Sequence, residues 1–133
     1  EKVSSVKPLT CALVIIKDGI KSSTGEMYKK LDRAGLTDRR GDVEKLIKNI
    51  EENNLSLVGK TLFNDFERVC PCDGIKADLL SQGAVGACLS GSGPSVFGIF
   101  ENTEKAMRAA KALENKYKNV FACETENFGI KFE

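Results

Sequence analysis

The residues best suited to chemistry form a glycine-rich stretch, Ser90-Gly91-Ser92-Gly93-Pro94, between two apolar runs. Glycine adopts positive φ angles without a Cβ clash, so Gly91 and Gly93 allow successive backbone N–H groups to point into one concavity. Such a concavity binds oxyanions, and phosphate is the usual one. The stretch therefore predicts a phosphate-binding loop. The alternative is a tight turn between strands whose glycines serve geometry only.

Two better-known phosphate-binding patterns do not fit this stretch. The dinucleotide-binding fingerprint requires a third glycine where this chain has Val96. The Walker loop shares the glycine spacing of Gly86 and Gly91, but it requires a lysine where this chain has Ser92. The spacing alone therefore assigns no nucleotide-binding fold.

The cysteines predict neither a disulfide framework nor a metal site. Their odd number and the lack of a secretion signal favour free thiols in a reducing, cytoplasmic location. Those in apolar runs are expected to fill the core. Cys70 and Cys72 are too close for a usual zinc knuckle, and the chain has no histidine. The five cysteines are Cys11, Cys70, Cys72, Cys88 and Cys123.

Composition limits the classes of partner. A length of 133 residues fits one domain, and the 41% of hydrophobic and 29% of charged residues are typical of globular proteins. The net charge of +1 argues against a nucleic-acid partner. The longest apolar runs are far shorter than the roughly 20 residues of a membrane span, so no membrane is expected. The start at Glu1, without a signal pattern, suggests a piece of a longer protein.

The elements that must position the loop are strands and helices. Apolar runs predict strands at residues 9–16, 84–89, 95–100 and 120–123. A capping-box spacing predicts a helix from Ser23 or Thr24 to Gly35, and a helix capped by Asp42 follows a polar linker at residues 37–41. Another helix, capped by Ser56, is predicted to run to Pro71, and a short one covers residues 73–81.

The last predicted helix follows Asn102 or Thr103, and its apolar face completes the pattern. The element order matches the β-α-β-β-α-β ferredoxin-like plan, with extra helices in the first crossover. We therefore expect an α+β fold, with an antiparallel sheet and helices packed on one face. The apolar face of the last helix comprises Ala106, Met107, Ala110, Leu113 and Tyr117.

Three stretches resemble one kinase superfamily. Residues 86–98, Gly-Ala-Cys-Leu-Ser-Gly-Ser-Gly-Pro-Ser-Val-Phe-Gly, resemble the third motif of the galactokinase, homoserine kinase, mevalonate kinase and phosphomevalonate kinase (GHMP) superfamily. Residues 23–32 are similar to the S-T-x-x-x-Y-x-x-L-D stretch of its 4-diphosphocytidyl-2-C-methyl-D-erythritol kinase family, and residues 63–67 to that family's N-x-[LF]-E motif. The similarity spans residues 8–121 but only the second half of such a kinase.

The resemblance implies that residues 1–133 are a single domain, the C-terminal half of a GHMP-type kinase whose ATP-binding N-terminal half is absent. The full-length kinase would phosphorylate the 2-hydroxyl of the cytidine-diphosphate-linked methylerythritol, in non-mevalonate isoprenoid precursor synthesis. ATP and Mg²⁺ would be bound mainly by the N-terminal half. This chain would therefore be inactive alone, and its partners would be that half and the small-molecule substrates.

The resemblance also assigns the glycine-rich loop a place at the reaction centre. Ser90, Gly91, Ser92 and Gly93 would line it, with N–H donors that stabilise charge on the transferring phosphoryl group or on the substrate diphosphate. No catalytic residue is assigned within this chain.

Three further residues are implied to bind substrate, each with an ordinary alternative. Tyr28 would pack near the cytosine ring, or it is a core-edge residue beside Met27. Thr24 would contact substrate, or it is a helix N-cap. Asn64 would face the N-terminal half or the glycine loop. Alternatively it is solvated, because helical spacing puts it opposite the apolar stripe.

Two other functions stay open at this stage. One is another GHMP kinase, of the homoserine or mevalonate type. The other is a stand-alone ferredoxin-like module that holds an anion without catalysis. The kinase interpretation predicts an exposed patch around residues 90–94 and Asn64, whereas the module predicts a closed, polar surface there.

Overall fold

A four-stranded antiparallel sheet is central to the part of the chain that the computed structural model describes, residues 5–19, 22–35 and 40–127. The strands are β1 (Ala12–Lys17), β2 (Gly86–Leu89), β3 (Ser95–Phe100) and β4 (Val120–Glu124). They lie in the order β2-β3-β1-β4, and each neighbouring pair is antiparallel. This is the ferredoxin-like arrangement, so the predicted α+β fold is confirmed.

Five α-helices and one 3₁₀ helix connect and cover the strands within the described residues. The 3₁₀ helix and the first four α-helices lie in the first crossover, between β1 and β2. The α-helices are α1 (Thr24–Ala34), α2 (Arg40–Glu51), α3 (Leu55–Thr61), α4 (Asp73–Ser81) and α5 (Thr103–Leu113), and the 3₁₀ helix is Asp65–Arg68.

Different helices cover the two faces of the sheet. On one face, β1 buries Val14 and Ile16 in the main core, against Leu79 of α4 and the small residues of α5. Leu13 points the other way and packs in a second cluster with Val58 of α3 and residues of α2. The extra helices of the first crossover therefore add a second layer to the ferredoxin-like plan, so helices cover both faces of the sheet and not one face as predicted.

Helix α3 approaches the backbone of β2 very closely. A Cβ on Gly59 would lie 2.2 Å from the carbonyl oxygen of Val85, and a Cβ on Gly86 would lie 2.3 Å from Cα of Gly59. No side chain fits at such distances, so glycine is required on both the helix and the strand where they meet. This contact holds the strand that leads into the glycine-rich loop.

The helix predicted from Ser56 to Pro71 is wrong, because the chain forms two separate helices there. Asn54 rather than Ser56 caps α3, accepting a hydrogen bond from the Leu57 amide at 3.1 Å. The chain is extended at Asn64 (φ −146°, ψ 122°), whose side chain caps the 3₁₀ helix instead. Asparagine is a strong N-cap, so local capping prevails over the helical apolar spacing here.

The helix starts agree with prediction in part. Ser23 caps α1 through a complete capping box with Glu26, as predicted. Asp42 was predicted to cap α2, but that helix begins at Arg40, so Asp42 lies in its first turn, where a carboxylate favours the helix dipole. The predicted linker at residues 37–41 falls partly outside the described residues, and its last two positions are already helical.

Two predicted core positions are exposed. Met107 was placed on the buried face of α5, yet 61% of its surface is accessible, and Ala109 is buried instead. The small residues of α5 face the sheet, and the methionine points away from it. All the cysteines are free, as expected, but Cys123 is exposed on edge strand β4 and does not fill the core.

The described helices include none that combines the length and the apolar character of a membrane span.

Candidate functional site

The glycine-rich loop (residues 90–94) is the turn of the β2–β3 hairpin. Gly91 and Gly93 have positive φ angles of 55° and 83°. The loop uses two of its own amides: Ser90 N–H donates to the Ser95 carbonyl at 2.8 Å, and Gly93 N–H donates to the Ser90 carbonyl at 3.0 Å. Among described residues, the amides of Gly91 and Ser92 donate no hydrogen bond. The concavity predicted for an anion is therefore reduced to these two donors.

The first turn of α1 touches the loop. Thr24 Oγ1 and Ser92 Oγ are 3.3 Å apart, so two hydroxyls predicted for the site from stretches 68 residues apart share a hydrogen bond. Thr24 is the first residue of α1, and the N-cap is Ser23, so the alternative role of Thr24 as N-cap is wrong. The two hydroxyls and two amides together form a polar rim.

A cleft of about 420 Å³ opens between α1 and the loop. Met27 and Lys30 of α1 line it, together with Ser92, Pro94 and Cys70. Ser92 is the predicted site residue that lines this cleft, whereas Thr24 and Tyr28 lie outside it. Asp18 and Ser22 line the cleft as well, so it combines one cationic and one anionic side chain with two hydroxyls.

The loop surface is open. Ser90 and Gly91 are exposed, and Ser92 is half-buried. Tyr28 has 54% of its surface exposed, and its ring packs against Phe66. Phe66 itself is partly buried against the main core. Tyr28 is thus neither a core residue nor a free side chain, since one contact holds it and much of the ring stays accessible.

Asn64 contacts the glycine-rich loop directly. Its Nδ2 donates to the carbonyl oxygens of Leu89 and Gly91, both at 2.8 Å, and its Oδ1 accepts from the Phe66 amide at 2.9 Å. The alternative prediction, that Asn64 lies on a solvated helix face, is wrong, because Asn64 precedes the 3₁₀ helix and is half-buried. Asn64 therefore faces the glycine-rich loop, which is one of the placements that the resemblance implies.

Glu67 is a residue at the loop to which the sequence analysis gave no role. Its Oε1 accepts from the Leu89 amide at 2.8 Å, and its Oε2 accepts from Lys76 Nζ at 2.6 Å. Burial lowers the pKa of Lys76, but the hydrogen bond and charge of Glu67 outweigh it and leave that pKa raised. The sequence did carry one signal for this residue, because Glu67 is the last position of the N-x-[LF]-E motif, three residues after Asn64.

The same 3₁₀ helix also contacts the end of α1. Arg68 donates from its two terminal nitrogens to the carbonyl oxygens of Ala34 and Gly35, both at 2.7 Å. Carbonyls at a helix C-terminus lack intrahelical partners, so a guanidinium satisfies them well. One short segment therefore contacts both α1 and the loop.

The described residues contain no group of three or more His, Cys, Asp or Glu side chains arranged to hold an ion. The buried Cys88 has its pKa raised to about 12 by burial and by the nearby charge of Glu67, so its thiol stays protonated at neutral pH.

A sequence model matches most of the chain. Residues 27–119 match the family described as GHMP kinases C terminal. The chain is 33% identical over 136 residues to the 4-diphosphocytidyl-2-C-methyl-D-erythritol kinase of Thermoanaerobacter pseudethanolicus, covering 98% of this chain and 47% of that protein. The chain thus spans about half the length of the curated relatives it matches.

Solved structures share the fold at low sequence identity. The L. major mevalonate kinase in complex with R-mevalonate superposes with a TM-score of 0.77 at 17% identity, covering 91% of this chain and 44% of that one. A 4-(cytidine 5'-diphospho)-2C-methyl-D-erythritol kinase superposes with a TM-score of 0.67 at 22% identity, covering 92% and 45%. These likenesses extend to the fold alone.

Proposed function

The chain belongs to the GHMP kinases C terminal family, and on that premise we propose that it is the C-terminal half of an ATP-dependent small-molecule kinase. The proposed substrate is 4-diphosphocytidyl-2-C-methyl-D-erythritol, phosphorylated on its 2-hydroxyl. The name of the relative from Thermoanaerobacter pseudethanolicus supports this choice. In this proposal the complete kinase is this chain joined to its N-terminal half.

The observation that carries the proposal is the pair of unbonded amides at Gly91 and Ser92, in an open loop beside the hydroxyl of Thr24. Fixed N–H donors lower the energy of a transition state by stabilising negative charge as it develops. Phosphoryl transfer depends chiefly on such charge stabilisation and on alignment. The loop thus supplies what this reaction needs from a protein.

In the proposed reaction the substrate's 2-hydroxyl oxygen attacks the γ-phosphorus of ATP and forms the new oxygen–phosphorus bond. The bond from the γ-phosphorus to the β,γ-bridging oxygen breaks, and ADP leaves with that electron pair. The hydroxyl proton passes to a base in the N-terminal half. The role of this chain is to line the reaction centre with Ser90, Gly91, Ser92 and Gly93, and Thr24 joins them through Ser92.

The cofactors of the proposed reaction are ATP and Mg²⁺, held mainly by the N-terminal half. Among the described residues of this chain, no cluster of three or more metal ligands is found. The free thiols suit a reducing compartment, and we place the kinase in the cytoplasm.

Tyr28 supports the choice of a cytidine-containing substrate. Its ring is 54% exposed and rests on Phe66, so it presents an aromatic surface that does not need to move. An aromatic surface stacks on any nucleobase. Homoserine and mevalonate have no base, so a kinase for either would not need a base-stacking surface at this position.

The test is phosphoryl transfer by the complete kinase, measured by ADP release with three alcohols offered separately: the cytidine-diphosphate-linked methylerythritol, homoserine and mevalonate. We expect transfer to the first alone. The 133-residue chain, assayed alongside as the matched control, is expected to release no ADP. Preference for homoserine or mevalonate would assign another GHMP kinase. No transfer to any of the three, with inorganic diphosphate still bound, would favour a non-catalytic anion-binding module.

A further inference from the structure

The residue at the end of β2 is held by side chains on both of its backbone groups. The Leu89 amide donates to Glu67 Oε1 at 2.8 Å, and the Leu89 carbonyl accepts from Asn64 Nδ2 at 2.8 Å. The same Nδ2 donates to the Gly91 carbonyl at 2.8 Å, inside the loop. Main-chain groups at a strand end normally bond to a neighbouring strand or to water. Here one short segment, residues 64–67, replaces both.

The hydrogen bond that the Leu89 amide donates goes to a charged carboxylate that is partly shielded from water. Glu67 and Lys76 form an ion pair at 2.6 Å, and their side chains are 17% and 24% exposed. A hydrogen bond to an ionised acceptor is about twice as strong as one between neutral groups. Lys76 lies on α4, which packs against the sheet, so the carboxylate is anchored to the core as well as to the loop.

The side-chain amide of Asn64 uses all of its hydrogens on the two carbonyls. An asparagine amide has two N–H hydrogens, and those of Asn64 reach Leu89 and Gly91. Its Oδ1 meanwhile caps the 3₁₀ helix at the Phe66 amide. Every strong donor on this side chain is therefore directed at the loop, which leaves it no hydrogen for a ligand.

We propose that Asn64 and Glu67 are positioning residues that fix the backbone of the glycine-rich loop, and with it the direction of the Gly91 and Ser92 amides. The inference rests on the proposed function, because the direction of those amides matters for a phosphoryl group. Neither side chain touches the reacting atoms. Asn64 and Glu67 act through the loop, and the substrate-binding role assigned to Asn64 by resemblance becomes one of holding the loop that binds.

The first variant is Asn64→Asp in the complete kinase. Aspartate keeps the oxygen that caps Phe66, but it places a second oxygen against the carbonyls of Leu89 and Gly91. The matched control is Asn102→Asp, the same change at the N-cap of α5, where the side chain accepts from the Lys105 amide. Hydrogen–deuterium exchange of peptides covering residues 89–95 reports the loop, and steady-state kinetics report its effect.

We expect Asn64→Asp to speed exchange across residues 89–95 and to lower kcat by about 10- to 100-fold, since losing one oxyanion donor costs about 100- to 1,000-fold. The KM for each substrate should change by less than about threefold, because amide direction matters most in the transition state. Asn102→Asp should match the wild type in both readouts. A general loss of stability would instead raise exchange throughout the protein.

The second series, Glu67→Gln and Glu67→Ala, keeps the inference testable if Asn64→Asp folds poorly. Glutamine retains an oxygen for the Leu89 amide and loses the charge, so kcat should fall in the order wild type, Glu67→Gln, Glu67→Ala. Faster loop exchange with unchanged kcat would overturn this inference and leave the proposed function intact. Unchanged loop exchange in the variants would overturn it as well. An inactive wild type would overturn the proposed function first, and the inference with it.

Discussion

The rings of Tyr28 and Phe66 meet edge to face, with centroids 5.0 Å apart and planes at 80°. Tyr28 belongs to α1, and Phe66 belongs to the 3₁₀ helix whose neighbours Asn64 and Glu67 hold the glycine-rich loop. Aromatic pairs of this geometry contribute about 0.5–1.5 kcal/mol beyond the area they bury. The aromatic surface proposed for the base and the loop proposed for the phosphates are therefore attached to one short segment.

Replacing Tyr28 tests the aromatic surface. Tyr28→Ala should weaken cytidine diphosphate binding to the complete kinase by about 10- to 100-fold, because stacking of a base contributes about 1–3 kcal/mol. Tyr28→Phe should bind within about twofold of the wild type, since the ring is kept. Isothermal titration calorimetry measures both, with the exposed Met107→Ala on α5 as the control. Equal affinity of Tyr28→Ala and the wild type for cytidine diphosphate would show that Tyr28 does not stack on the base.

Replacing Gly59 tests the close approach of α3 to β2. Gly59→Ala should destabilise the chain by about 3 kcal/mol, since the new Cβ would lie 2.2 Å from a backbone oxygen that a rotamer change cannot move. The matched control is Gly74→Ala in α4, where a Cβ meets nothing within 4 Å. That change should be neutral or stabilise by up to about 1 kcal/mol. Urea denaturation gives both values, and similar results for the two variants would contradict the contact.

Acid should weaken the group formed by Asp78, Lys116 and Tyr117. Hydrogen bonds from Lys116 and Tyr117 lower the pKa of Asp78 below its usual 3.8. A carboxyl whose pKa is lowered by folding stabilises the protein above the unfolded value and loses that contribution as pH falls through the folded value. Tyr117→Phe should therefore cost about 1 kcal/mol at pH 7, and the difference from wild type should shrink below pH 3.8.

Thermal unfolding between pH 2.5 and 7 measures that difference. The matched control is Tyr28→Phe at the other tyrosine of the chain, whose ring is exposed. It should follow the wild type at every pH. A Tyr117→Phe deficit that stays constant down to pH 2.5 would mean that the hydroxyl acts independently of the Asp78 charge.

Alkali should act through the buried thiols. Burial and the charge of Glu67 raise the pKa of Cys88 from 9.0 to about 12. A group whose pKa is raised by folding stabilises the protein below the unfolded value, and that contribution is lost as pH rises through the folded one. The chain should therefore lose stability progressively between pH 9 and 12. Cys88→Ala should flatten this slope, whereas Cys123→Ala, at an exposed thiol, should leave it unchanged.

Alkylation gives a second readout for the cysteines. With iodoacetamide at pH 8, Cys123 should react rapidly because it is exposed, and Cys88 should react only when the protein unfolds. Mass spectrometry of the digested chain identifies the labelled sites. Rapid labelling of Cys88 in the folded chain would contradict its burial.

Sequence patterns predicted the strands and the caps of α1 and α5, because their signals are local. Ser23 and Glu26 are three residues apart, and their side chains satisfy amides of the same helical turn. The strand-turn-strand order around Gly91 likewise needs only neighbouring residues. The split between α3 and the 3₁₀ helix was missed, because Leu62, Phe63 and Phe66 keep a helical spacing although the chain is extended at Asn64.

The network around the loop was beyond prediction for a different reason. Glu67 meets Leu89 across 22 residues, and Asn64 meets Gly91 across 27. No periodicity relates these positions, since the contacts depend on how α4 and the hairpin pack. Family resemblance selected Asn64 and Tyr28 as site residues, but it did not indicate what holds them. Met107 shows the same limit, because an apolar residue at helical spacing is buried only if the sheet reaches it.

The sheet order has a consequence for the kinetics of folding. The two strands that flank the glycine-rich loop are adjacent in sequence, with Leu89 opposite Val96, so their hairpin closes over a short stretch of chain. The pairing of β1 with β4 instead joins distant segments, and the Cys11 amide just before β1 donates to Thr125 Oγ1 just after β4, 114 residues away. Closing so long a loop is entropically expensive and slow. We therefore expect the hairpin to form early and the docking of β4 to limit the rate at which the sheet is completed.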